Sequence, residues 1–189
     1  MISGFRLPAT VSIDGMEYAV NTDFRVWIEI GRLFTEKNMG EKERFERILM
    51  LAYREKLPPT AEAAMKGILE FYRAGASGES GGNDAPILDL YSDFAMIAAA
   101  FLREYRIDLW EEKLHWRKFR ALFSCLGEEN KIIQVMSYRA VKLADITDKK
   151  QKKFYAKMKK IYRLADWRSE EEKEASFAEK LYSVFEEVD

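Results

Sequence analysis

The chain has one histidine and one cysteine, and both lie in a single stretch, LHWRKFRALFSCL, at residues 114–126. An imidazole and a thiol could do nucleophilic chemistry, with His115 as the base that activates Cys125. That chemistry needs the two groups within hydrogen-bonding reach. On one helix, ten positions place them about 15 Å apart along the axis and roughly 80° apart around it. They cannot act as a pair unless a second copy supplies the missing group.

Other chemistries fare no better. Zinc sites draw on several Cys or His ligands, and this chain has one of each. The carboxylates stand mostly in helical surface patterns beside Lys and Arg, which leaves no convergent acidic site for a harder cation. Phosphate-cradling G-x-x-x-x-G-K-[ST] and dinucleotide G-x-G-x-x-G sequences are absent. The expectation is a protein that is not an enzyme, with no catalytic residue, no cofactor and no metal.

The stretch is better explained as a packing element. Trp116, Phe119, Leu122, Phe123 and Leu126 recur at the spacing of one helical face. Arg117, Lys118 and Arg120 flank that face, and Cys125 is expected to behave as a small buried hydrophobe.

The remaining chemistry is charge. Lys149, Lys150, Lys152, Lys153, Lys157, Lys159, Lys160 and Arg163 crowd one segment, and Phe154, Met158, Ile161 and Ala165 share a face within it. This predicts a basic amphipathic helix. The sequence that follows, SEEEKEASFAEKLYSVFEEVD, is acidic, with Phe177, Leu181 and Val184 or Phe185 at helical spacing. Three readings compete. The two segments could pair and offset each other's charge. The basic face, with Tyr155 and Tyr162, could hold nucleic acid through phosphate contacts, although the acidic neighbour would compete for the same lysines. The third is a helix–helix contact with another protein, in which the apolar stripe contributes affinity and the charges select the partner.

These residues need a scaffold, and composition bounds it. The 189 residues are 48% hydrophobic, 13% aromatic and 33% charged, with a formal net charge of −1. That is the profile of a well-packed soluble protein with no global field for nucleic acid or membrane. A lone cysteine suits a reducing compartment. The N-terminus lacks a secretory pattern, and no window is long and apolar enough to span a bilayer. The cytoplasm is the expected location.

FRLPATVSIDGMEYAV reads as a β-hairpin about Asp14-Gly15, a dipeptide suited to primed turns that need positive φ. Such a turn pairs Ile13 with Met16, Val11 with Tyr18 and Ala9 with Val20 on an apolar face, opposite Thr10, Ser12 and Glu17. The hairpin should act as a lid on helices; recruiting a neighbour's strand is the alternative. Asn21-Thr22-Asp23 then supplies an N-cap to a helix burying Phe24, Trp27, Ile28, Ile30 and Leu33. A second helix is predicted over residues 41–57, stopped by Pro58-Pro59, and a third from Thr60 through Ala74.

AGASGESGGNDAP, residues 74–86, reads as a flexible Gly/Ser-rich loop. Beyond it, residues 87–105 carry a helical stripe of Ile87, Leu90, Tyr91, Phe94, Ile97, Ala98, Phe101 and Tyr105. Asp108 and Glu111 look like a capping box opening the next helix, with Gly127 closing it as C′. Residues 131–144 read as a further helix. The expected fold class is mainly α, a helical assembly with a small N-terminal β-hairpin (α+β at most), in which residues 1–73 and 87–189 pack together as one domain.

The order of these motifs resembles a known family. The hairpin with SIDGMEYAVNTDFRVWIEI, the glycine-containing linker, DFAMIAAAFLREYRIDLWEEKLHWRKFRALFSCLGEENKIIQVMSYR and the Lys-rich FYAKMKKIYRLAD are similar to the bacteriophage gene-product-fifteen family. These are small proteins encoded among the tail-morphogenesis genes of long-tailed phages and prophages of Gram-positive bacteria. The likeness covers most of residues 10–166 and is most specific at Ile107-Asp108-Leu109, His115-Trp116, Lys118-Phe119, Ala121-Leu122 and Tyr138-Arg139. The acidic end after Trp167 lies outside it.

The resemblance implies a tail-assembly chaperone that binds the phage tape-measure protein, or another tail protein, in the cytoplasm of the bacterial host. It transfers no catalytic residues. A chaperone for a long amphipathic helix needs an apolar stripe edged with charge, and homo-oligomerisation is expected where such a stripe stands uncovered. The candidate partner-binding residues are Lys153, Phe154, Lys157, Met158, Lys160 and Ile161, within the basic segment 149–163. A structural tail or connector subunit of the virion is the alternative, and nucleic-acid binding through the same helix is the third possibility.

Overall fold

The computed structural model describes residues 6–73 and 86–164. The predicted loop at 74–86 therefore falls, apart from Pro86, outside the described residues, as does the acidic segment after Trp167. The described fold is mainly α with one antiparallel hairpin.

Strands β1 (Thr10–Ile13) and β2 (Met16–Ala19) pair in the expected register, Val11 with Tyr18 and Ile13 with Met16. Asp14 and Gly15 both have positive φ (50° and 75°), the geometry of a type I′ turn. Val11, Ile13, Tyr18 and Val20 are buried, but Met16 and Ala9 are exposed, against expectation. Met16 sits directly beside the turn, paired with Ile13.

The hairpin lies on helix α3 (Ala61–Arg73), and the contact requires a glycine. A Cβ on Gly67 would stand 2.8 Å from Ile13 Cδ1 and 2.7 Å from the Tyr53 hydroxyl. Only a residue without a side chain lets the hairpin lie this close.

Helix α1 (Phe24–Thr35) is capped by Asp23, whose carboxylate accepts from the Arg25 backbone N–H. Burial works against the ionised Asp23, yet hydrogen bonds from the Arg25 side chain and backbone outweigh it and lower its pKa. Phe24, Trp27, Ile28, Ile30 and Leu33 are buried as the spacing predicts.

Helix α2 (Glu41–Ala52) stops five residues before the expected end. Tyr53 turns extended and bridges Val20, with Asn21 N–H donating to Ala52 O and Arg54 N–H to Ala19 O. The chain leaves the helix because those bonds satisfy the open edge of β2. The turn also buries the Tyr53 ring, whose hydroxyl donates to Ala64 O at 2.7 Å. Burial first, and then the nearby Tyr18, push the Tyr53 pKa up to about 12.

In the second half, α4 (Phe94–Tyr105) begins later than predicted, and residues 87–93 form turns. Ile97, Ala98, Ala100 and Phe101 are buried in α4, while Tyr91 and Ile87 are exposed. The α4 helix ends on Arg106 in the left-handed conformation.

Helix α5 (Trp116–Ser124) carries the His/Cys stretch and starts eight residues after Asp108. Asp108 instead closes a single local turn, accepting from Trp110 N–H while Glu112, not Glu111, accepts from the Asp108 N–H. Gly127 is no left-handed C′ residue: among the described glycines only Gly15 has positive φ. Its N–H donates to the Glu104 carboxylate. Helix α6 (Lys131–Ala140) ends short of its predicted limit, followed by a 3-10 turn (Leu143–Asp145) and α7 (Lys149–Ile161).

The core is aromatic and joins the two halves of the chain. Phe119 stacks on Phe24 at 4.9 Å and on Phe101 at 5.3 Å, and Trp116 stacks on Tyr72 at 5.3 Å. Trp27 lies 4.7 Å from Phe71. Rings at these separations gain beyond the area they bury. The indole N–H groups are satisfied by Asn21 O and Tyr72 O.

Candidate functional site

The first question is what His115 and Cys125 do. His115 is the N-cap of α5: its Nδ1 accepts from Arg117 N–H at 3.1 Å, and its Nε2 lies 2.9 Å from Pro8 O. A neutral ring with the proton on Nε2 satisfies both contacts. Around it, Phe24 N–H donates to Leu114 O and Trp116 N–H to Thr22 O. The histidine is thus a splice joining the start of α1, the start of α5 and the entry to the hairpin. Cys125 stands at the opposite end of α5 and is exposed, not buried as expected. The two are not partners.

A groove of about 490 Å³ opens beside this core, floored by Tyr72, Trp116, Phe119 and Phe123. Its charged groups are already engaged. Arg120 donates to Tyr72 O and Arg73 O, closing the end of α3, and Arg32 is paired with Glu29 and Glu36. Nothing on its walls is poised as a nucleophile and base. No cluster of three potential metal ligands occurs among the described residues.

The C-terminal arm is built differently. Arg139 on α6 is a buried hub: it grips Asp93 with two bonds of 2.6 and 2.9 Å, and also donates to Ile87 O and Tyr162 O. Its side chain is 8% exposed and that of Asp93 3%. Bidentate geometry with every guanidinium nitrogen hydrogen-bonded is what allows such a pair to sit out of water. Lys159 donates to Arg139 O and Val141 O, closing the carbonyl end of α6. Tyr138 meets Phe154, Tyr155 and Tyr162 at about 6 Å, and Lys131 Nζ lies 4.5 Å from the Tyr162 ring centre.

These contacts fix which way α7 faces. Tyr155, Met158, Lys159 and Tyr162 turn toward α6, and no residue of α7 is fully buried. Of the six predicted contact residues, Met158 belongs to this inner face. Phe154 (48% exposed) and Ile161 (55% exposed) form one outer column, with Lys157 beside it and Lys153 and Lys160 next around the helix. The predicted apolar face of Phe154, Met158 and Ile161 is thus divided between packing and solvent. Tyr155 and Tyr162, which the nucleic-acid reading placed on the basic face, are taken up by Tyr138.

Sequence reasoning missed Arg139, Lys159, Lys131 and Tyr138 as the groups that dock the arm. An arginine following a tyrosine in the last turn of a helix was the available signal, and it cannot be told from a surface pair without knowing that Asp93 lies opposite.

Lys149, Lys150, Lys152, Lys153, Lys157 and Lys160 are exposed, and no ion pair reaches them among the described residues. Like charges three and four apart destabilise a helix, and lysines at its N-terminal end oppose the dipole. A single side-chain cap offsets this, from Asp148 to Gln151 N–H at 2.7 Å. Charge pattern and helix stability are thus in local conflict along this face.

Fold and site together define a mainly helical protein with an aromatic core, a hairpin lid and a basic arm docked through a buried Arg–Asp pair. The family model described as Bacteriophage Gp15 protein matches residues 5–164, and the chain belongs to that family of phage proteins. Neither the curated proteins nor the solved structures contain a match to it.

Proposed function

We propose that this phage protein is a non-enzymatic tail-assembly factor, a chaperone that binds the tape-measure protein through the outer face of α7 before tail-tube subunits polymerise. Membership of the phage family supports the setting. The observation that carries the contact is the face itself: Phe154 and Ile161 in one exposed column, edged by Lys153, Lys157 and Lys160, which have no carboxylate partners among the described residues. An apolar column edged by cations suits an amphipathic helix with acidic flanks, the column contributing affinity and the lysines orientation and rate of encounter. The site of action is the host cytoplasm.

Co-expression with the tape-measure protein is the test. Soluble yield should rise and the two should co-purify; neither happening sinks the reading. Lys153→Glu, Lys157→Glu and Lys160→Glu together should weaken the complex, and unchanged affinity removes α7 as the contact. Recovery of the protein from purified virions would instead favour a structural tail or connector subunit.

A further inference from the structure

Thirteen residues of α7 hold seven lysines and no carboxylate. Residues 169–189 of the same chain hold eight carboxylates and two lysines, with Phe177 and Leu181 four apart. We propose that this acidic segment is the resident occupant of the outer face of α7 and competes with the partner for it, an inference that rests on reading α7 as the partner-binding face.

Three observations support that occupant. The charges are complementary, and the described fold supplies no other carboxylate to the exposed lysines. The apolar column of Phe154 and Ile161 stays about half exposed, Phe154 meeting Tyr138 and Tyr155 only along its inner edge, and the acidic segment brings apolar residues of its own. The tether also reaches: eight residues separate Ile161 from Glu170, a span of up to about 25 Å when extended, against about 20 Å for the whole of α7. A tether this short gives an effective concentration near the millimolar range, so individually weak contacts suffice. Occupancy would hide an apolar stripe that otherwise invites self-association, and a partner with a better-matched acidic helix would displace it.

Lysine labelling of the full-length protein without any partner, read by mass spectrometry, tests this. At low salt Lys153, Lys157 and Lys160 should label several-fold more slowly than in the variant Glu170→Gln, Glu171→Gln, Glu172→Gln and Glu174→Gln, with Lys42 as an unaffected control. The protection should collapse in about 1 M salt, where the screening length is about 3 Å. Phe177→Ala with Leu181→Ala leaves the charge unchanged and should also expose the lysines, which separates docking from a general field. Equal labelling of wild type and both variants overturns the proposal. So does protection that grows with protein concentration, which assigns the occupant to a second copy. Failure of the tape-measure protein to bind even the glutamine variant, with the protection intact, counts against the partner reading alone.

Discussion

The aromatic core and the basic arm solve the same problem, holding helices together, by opposite means. In the core, Phe24, Trp27, Phe101, Trp116 and Phe119 are fully buried and stacked. In the arm, α7 buries no residue completely and is held by Arg139, Lys159 and a half-wet group of tyrosines. The core converts nearly all its apolar surface into stability. The arm holds only its inner face, and its outer face stays exposed.

The largest expected effects test whether the arm's single buried ion pair rivals the core. Phe119→Ala should cost about 3–5 kcal/mol in denaturant unfolding. Arg139→Ala should cost a similar amount, about 3–5 kcal/mol, because it strands Asp93 out of water. A small loss for Arg139→Ala would mean that the arm is held by its tyrosines. Phe154→Ala, the same truncation on the outer column of α7, should cost under about 1 kcal/mol, since little area is removed from contact.

Next come the joints. Gly67→Ala improves helix propensity, yet should destabilise by about 1–3 kcal/mol through overpacking against Ile13 and Tyr53. A stabilised variant would show that the hairpin can lift off α3. His115→Ala should cost about 0.5–2 kcal/mol and His115→Asn much less, because Asn retains a capping oxygen. Equal losses would place the weight on the Pro8 contact.

Alkaline pH provides a milder probe. Burial raises the folded pKa of Tyr53 to about 12, above its value of 10.0 in the unfolded chain, and raises that of Tyr72 as well. The unfolded state therefore loses these protons first. This stability is complete below pH 10 and is lost as pH rises toward 12. Tyr53→Phe should flatten the midpoint of thermal unfolding across that window, and an unchanged slope would assign it elsewhere. Smallest of all, the triple lysine-to-glutamate change on α7 should leave the unfolding midpoint within about 0.5 kcal/mol of wild type, even as it weakens partner binding.

Much of the fold is written in local pattern. The α1 stripe is legible because one helix face meets one core, and Asp14-Gly15 because a two-residue turn needs nothing beyond its own φ angles. The misreadings occur where a distant residue decides. Tyr53 leaves α2 because β2, more than thirty residues earlier, has an open edge. Asp108 satisfied a capping pattern, while His115 became the cap because Pro8 and Thr22 meet it there. For the site, the basic helix was evident from its lysines. Which side of it faces outward was not, since Tyr155 and Tyr162 turn inward only on account of Tyr138.

The splice at His115 has a consequence for synthesis. The start of α1 is tied to the start of α5, with Phe24 N–H on Leu114 O and Trp116 N–H on Thr22 O. Until residue 119 has been translated, Phe24 lacks the ring that covers it, and Trp27 lacks Trp116. At ribosomal speeds of about 5–20 residues per second, those ninety or so residues take roughly 5–20 s. Through that interval the nascent chain presents an uncovered aromatic face, so this phage protein passes through a vulnerable period before its core can close.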